Sequence, residues 1–282
     1  MPVNMKTILL TGATSGIGLE ASAQLAKEGH RVVMVGRDEQ KTRQAAEDVR
    51  RRSGAGAVET LHCDFASQAS IRALAAAYRA KYDRLDVLIN NAGSVFQERG
   101  LTGDGVERTF AVNHLGYFLL TNLLVDLLER SAPARVVVVA SVGHYRGTMD
   151  LGDLGFERGG YSIMAAYQRS KLANVMMTRR LAAQLEGKGV TVNALHPGVV
   201  ATNIWSGAPR WSRPLLAAAK ALFMISPEEG ARTLTYLASS PEVEGKTGLY
   251  FEKNLPRECA ALAKDRALTE QLWVKCAELV GL

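Results

Sequence analysis

Tyr167 and Lys171 stand four residues apart in Tyr167-Gln168-Arg169-Ser170-Lys171. On a helix that spacing puts a phenol and an ammonium on one face. A cation beside a phenol favours the phenolate, so it lowers the phenol pKa toward the working range of an acid/base catalyst. Such a pair is common by chance, and its weight comes from what precedes it. Ser141 closes the run Arg135-Val136-Val137-Val138-Val139-Ala140-Ser141. A hydroxyl at the carboxyl end of a parallel strand lies at the crevice where ligands bind. There Ser141 would hold a substrate oxygen while Tyr167 transfers its proton. Asn113 interrupts the helical pattern of Phe110-Ala111-Val112-Asn113-His114-Leu115-Gly116. Its amide competes for backbone groups and suits a helix interior poorly. His114 beside it reads as packing.

A second group of residues suits an anion. Gly12, Thr14, Ser15, Gly16, Ile17 and Gly18 form a loop between a short apolar run, Thr7-Ile8-Leu9-Leu10, and a helical pattern. The glycines allow a tight turn and a close approach of backbone to a pyrophosphate. The helix N-terminus aims N–H groups and its dipole at the same anion. The next apolar run ends Val35-Gly36-Arg37-Asp38. An acid at that tip would accept from a ribose 2′-hydroxyl and select NAD. Here Gly36 holds the tip, and the Arg37 guanidinium that follows matches a 2′-phosphate, which selects NADP. Asp38 could still take the acid's role. On this reading, an aspartate in place of Gly36 turns the chain toward NADH.

These residues need a frame that brings them together. Apolar runs begin at Thr7, Arg31, Val58, Leu85, Arg135, Val190 and Gly248, with helical patterns between most of them. Continuous Val, Ile and Leu mark strands buried on both faces, as in a parallel sheet covered by helices. The pattern predicts an α/β fold of the Rossmann type. It would be one doubly wound, mostly parallel sheet of seven strands with helices on both faces, spanning 1–282 as a single domain. Tract, repeat and linker signals are absent from the sequence. The charge, 34 Lys+Arg against 28 Asp+Glu for a net +6, is spread along the chain and does not suit a nucleic-acid binder. Cys63, Cys259 and Cys276 form no CxxC pair, which argues against a disulfide framework or metal site and fits a reducing compartment. With no leader-like segment and no run of about twenty apolar residues, the chain reads as soluble and cytoplasmic.

The loop spacing TGxxxGxG resembles that of the short-chain dehydrogenase/reductase family. So do Asn90-Asn91-Ala92-Gly93 after the fourth strand, the Ser and YxxxK set, and His196-Pro197-Gly198 after the sixth strand. The joint order of these motifs is specific, and the resemblance runs from about Thr7 to the end. Val112-Asn113-His114-Leu115-Gly116 and Ser170-Lys171-Leu172-Ala173-Asn174 look most like the retinol dehydrogenase branch. That branch also carries a wide loop between its Ser and Tyr, as here. It carries an N-terminal membrane anchor as well, where this chain runs from Met1 straight into a strand. The resemblance implies that Asp64 meets the adenine and that Asn91, Ala92 and Gly93 pass close to the adenine-linked ribose. Pro197, Gly198, the Val200 backbone and the Thr202 hydroxyl would meet the nicotinamide end, and Lys171 the nicotinamide ribose. Asn113 would bend its helix and hold a water that relays protons to Lys171. Ala140 stands where many relatives carry another Ser, which leaves Ser141 as the oxygen clamp.

The chain is therefore expected to be an NADP(H)-preferring oxidoreductase that interconverts a carbonyl and an alcohol. An insert at about 203–226, with Ile204, Trp205, Trp211, Leu215, Leu216, Leu222 and Phe223, would cover a hydrophobic aldehyde or ketone. That insert also leaves peripheral membrane contact or a homo-oligomer open. The alternative is a catalytically silent dinucleotide sensor or scaffold on the same fold. Such proteins lose the Tyr, Lys or Ser; here all three are present.

Overall fold

The computed structural model describes residues 5–54, 57–198 and 225–282. Its strands are β1 (Thr7–Thr11), β2 (Arg31–Gly36), β3 (Val58–His62), β4 (Val87–Asn90), β5 (Ala134–Val139), β6 (Val190–His196), β7 (Tyr250–Glu252) and β8 (Leu255–Arg257). They form one sheet in the order β3-β2-β1-β4-β5-β6-β7-β8. All neighbours are parallel except β7 and β8. Chain order reverses between β1 and β4, the switch point at which such sheets open a crevice at their carboxyl ends.

The helices are α1 (Gly16–Lys27), α2 (Glu39–Ser53), α3 (Gln68–Lys81), α4 (Arg108–Arg130), α5 (Ile163–Gln184), α6 (Pro227–Ser239) and α7 (Arg266–Val280). Side chains alternate across each strand, so the sheet serves two cores. Ile8, Leu10, Val32 and Met34 pack under α1, α2 and α6. Leu9, Val33, Leu88 and Val138 pack under α3, α4, α5 and α7. Caps fix where several helices begin. Asp38 accepts from the Lys41 N–H at α2, and Ser162 accepts from the Ala165 N–H at α5.

Two features depart from the sequence expectation. The sheet has an eighth strand, and the run expected from Gly248 pairs only from Tyr250. Lys253 and Asn254, with φ of 51° and 64°, make a two-residue hairpin into β8. Three exposed residues centred on Pro256 carry little strand signal. The second feature is α4, whose 23 residues are long and apolar enough by composition to cross a membrane. In the fold, 78% of its most apolar window is buried, against the sheet and its neighbouring helices.

Candidate active site

At the carboxyl ends of β1, β4, β5 and β6, a cleft of about 690 Å³ runs from Arg37 past the glycine loop to Ser141 and Met164. Its floor at the loop end is backbone. Gly12 (φ 68°) and Gly16 (φ 56°) turn β1 into α1 in the left-handed region. A Cβ on Gly12 would lie 2.7 Å from the Ala92 Cα, and one on Gly18 would collide with the Gly12 carbonyl oxygen. Ser15 precedes α1 without capping it through its side chain, and the first turn of α1 opens onto the cleft. The cradle thus has the shape and the backbone donors for a dinucleotide's phosphates.

Asn91 lines this cleft, but its amide turns back into the protein. Its Nδ2 donates to the carbonyls of Thr11 at 2.9 Å and Gly12 at 3.1 Å. Its N–H and that of Ala92 donate to the Thr11 hydroxyl. The Asn91 side chain therefore holds the glycine loop in place, while the backbone of Ala92 and Gly93 faces the cleft. Asp64 also lines the cleft, and its Oδ1 accepts from the Ala66 N–H at 3.0 Å. Asp64 thus holds a turn with one carboxylate oxygen while lining the cleft.

At the rim Arg37 is exposed. Asp38 is committed to its cap, and the Lys41 N–H holds its carboxyl below the usual range. The expectation for Gly36 needs correction. A Cβ there would collide with the Thr42 hydroxyl and lie 2.5 Å from the Thr14 methyl carbon. Thr42 is buried with its hydroxyl on the Asp38 carbonyl, so an aspartate at Gly36 would disturb the turn before it could bind a ribose.

Ser141, Tyr167, Lys171 and Asn113 converge at the other end. Ser141 Oγ accepts from the Gly143 N–H at 3.1 Å, so it caps the following turn as well as facing the cleft. It is also hydrogen-bonded to the Tyr167 hydroxyl. His144 Nδ1 sits 2.7 Å from the Ser141 carbonyl, and its Nε2 accepts from the Ala260 N–H, which ties this turn to the C-terminal segment. Lys171 donates to the Val139 carbonyl at 2.9 Å, with its Nζ 5.6 Å from the Tyr167 ring centre. Burial brings the ammonium down to about 7. Burial also pushes the Tyr167 phenol up, and the Ser141 hydrogen bond opposes that. The expectation that Lys171 sets the phenol pKa downward is not what the structure shows: the ammonium donates to the Val139 carbonyl, and burial raises the phenol.

The helix break expected at Asn113 is a π-turn over Ala111–Leu115 at the start of α4. It turns the Asn113 amide toward Ser94, accepting from its N–H at 2.8 Å and donating to its carbonyl at 2.9 Å. The amide also donates to Ser170 Oγ at 3.3 Å. Tyr117, four residues on and fully buried, donates to the Ala92 carbonyl at 2.6 Å. Sequence reading passed over it, although its spacing from Asn113 places it on the same helix face. Pro197 and Gly198 line the cleft. Val200, Thr202 and the insert at 203–226 up to residue 224 lie outside the described residues.

A family profile described as short chain dehydrogenase matches residues 6–213. Human retinol dehydrogenase 14 is 44% identical over 98% of this chain and 87% of its own length. The crystal structure of an uncharacterised protein from Mycobacterium paratuberculosis superposes with a TM-score of 0.81 at 32% identity, over 100% of this chain and 96% of that one. The Pseudomonas aeruginosa RhlG/NADP active-site complex does so at 0.72 and 28%, over 89% of this chain and 96% of that one. With its crevice, glycine cradle and Ser-Tyr-Lys set, the chain belongs to the short-chain dehydrogenase family. It is an NAD(P)-dependent oxidoreductase acting on CH–OH groups. Within the family it falls in the retinol dehydrogenase-like branch.

Proposed function

We propose that this protein prefers NADP(H) and interconverts a hydrophobic aldehyde or ketone with its alcohol. The observation that carries the reading is the wall of buried Ser141 and Lys171 and half-buried Tyr167 at the end of a cleft that starts at a phosphate cradle. The first turn of α1, the backbone of Ala92 and Gly93, and Lys171 would hold the dinucleotide. When bound, the nicotinamide supplies or takes the hydride. Tyr167 gives its hydroxyl proton to the carbonyl oxygen, or takes it back from the alcohol. Ser141 Oγ donates to the same oxygen and fixes its distance from Tyr167. Lys171, held by the Val139 carbonyl, puts a titratable charge behind the phenol at a pKa of about 7.

Two observations support NADP. Arg37 stands exposed at the rim where a 2′-phosphate would lie, and the neighbouring acid is spent on a cap. For the substrate, Phe96, Val112 and Met164 give the catalytic end an apolar lining. Retinoids are one class to test, given the names of the relatives, beside aliphatic, aromatic and steroid carbonyls. The test is consumption of NADPH and NADH across that set. Turnover with apolar carbonyls, faster with NADPH, is expected. Tight cofactor binding with no turnover of any carbonyl or alcohol would favour the sensor reading. Preference for NADH would remove Arg37 from cofactor choice.

A further inference from the structure

Behind the catalytic wall lies a buried chain of polar groups that the mechanism above does not use. Asn174 follows Tyr167 and Lys171 along the inner face of α5 and is fully buried. Its Nδ2 donates to the Asn113 carbonyl at 3.0 Å and to the Val139 carbonyl at 3.4 Å. The Val139 carbonyl is also the acceptor for Lys171 Nζ. Asn174 Oδ1 lies 2.9 Å from His114 Nδ1, and His114 Nε2 lies 3.4 Å from Cys276 Sγ on α7. His114 and Cys276 are buried too, at 1% and 0% exposure.

Donor counting fixes every proton in this chain. An amide nitrogen must face the two carbonyls, because an amide oxygen there would meet two acceptors. Oδ1 then faces His114, so Nδ1 must carry the hydrogen and donate to it. Nε2 is left as an acceptor, and the Cys276 thiol supplies the donor. Burial keeps the imidazole neutral and the thiol protonated, as this arrangement needs. Each group has one orientation that satisfies its neighbour, so the set is rigid.

We infer that His114 and Asn174 are positioning residues for Lys171, holding the Val139 and Asn113 carbonyls, and with them the π-turn, at the distances proton transfer requires. The inference rests on the proposed Tyr167–Lys171 chemistry. His114 touches neither the cleft nor the reacting atoms; it acts by fixing which way the Asn174 amide points. The titratable groups facing Lys171 are Tyr167 on its own helix, Tyr117 and His114 on α4, and His196 at the end of β6. Replacing the Asn174 amide by an alkyl group deepens the desolvation of Lys171. The pH midpoint set by Lys171 should then fall.

The test compares two polar replacements of His114 with Asn174→Leu. An asparagine at His114 reaches where Nδ1 was and can donate to Asn174; a glutamine reaches toward Nε2 and Cys276. The expected result is that H114N keeps kcat within about threefold of the parent, while H114Q loses about tenfold. N174L should lose about tenfold or more in kcat, with little change in cofactor Kd and a pH midpoint lower by about half a unit. A merely structural role would lower Tm without separating the two His114 variants or moving the midpoint. Equal kcat for H114N and H114Q, or a folded N174L with unchanged kcat and midpoint, overturns the inference. If N174L does not fold, the His114 pair decides alone. Tyr167→Phe is run beside them: an active Y167F sinks the underlying chemistry, whereas a dead Y167F with indifferent His114 variants sinks only this inference.

Discussion

The two ends of the cleft are built from different materials. At the cradle, specificity lies in backbone: Gly12 and Gly18 matter for the side chains they lack, Gly16 for its left-handed turn, and Asn91 works by tying two loops together. At the catalytic end, backbone is the scaffold for buried side chains. Ser141, Lys171 and Asn113 are 7%, 3% and 0% exposed. The cradle tolerates only conformations open to glycine, whereas the catalytic end tolerates only groups with satisfied protons. One end should fail by steric exclusion and loss of affinity, the other by loss of rate.

The sharpest separation is Tyr167→Phe. The phenol is the hydroxyl placed to give a proton, so kcat should fall by ~10²–10⁴-fold while cofactor affinity holds. Retention of more than half the parent kcat would remove Tyr167 from the chemistry. Arg37→Ala should act in the opposite sense. It should lower kcat/KM for NADPH by roughly 10- to 150-fold and leave NADH nearly unchanged, as expected for one charge-assisted phosphate contact. Equal losses with both cofactors would break the comparison at the rim. Gly18→Ala should weaken both cofactors about tenfold and lower stability by about 1–3 kcal/mol, because the added carbon meets the Gly12 carbonyl. Unchanged affinity by fluorescence titration would show that the cradle can relax.

The smallest effect concerns stability. Burial holds Lys171 at about 7, below its ordinary 10.5. Between those values the unfolded chain binds the extra proton, so stability from this group rises with pH, and the cost of burying its charge is greatest below pH 7. Lys171→Met should therefore lose turnover yet melt about 2–4 °C higher at pH 6, with the gain fading toward pH 9. A lower Tm at pH 6 would mean that the hydrogen bond to Val139 outweighs desolvation.

Much of this was legible in the sequence because it is local. Apolar runs gave seven strands to within a residue or two, and the order of Gly12, Asn91, Ser141, Tyr167 and Lys171 pointed to the cleft where these residues meet. What was not legible depends on neighbours distant in sequence. Asp38 reads as a possible ribose acceptor until Lys41 takes its carboxyl. Gly36 reads as an open tip until Thr42 and Thr14 are seen to fill its Cβ position. His114 was read as packing, and it does pack; its ring nitrogens acquire meaning only when α5 and α7 arrive beside it. β8 is too short and too exposed to mark itself.

The sheet also divides the interior in a way that bears on how such a chain drifts over generations. Leu9 and Leu10 are adjacent in β1, yet they belong to separate apolar compartments. The helix that opens the phosphate cradle, α1, rests on one compartment, and the helix bearing Tyr167 and Lys171 rests on the other. Cavity-forming substitutions on opposite sides of the sheet should combine additively, while those within a compartment should couple. Repacking under α1 can then retune dinucleotide affinity with little disturbance of turnover. Repacking under α5 can reshape turnover while nucleotide choice is kept. A lineage built on this sheet can explore the two properties one at a time.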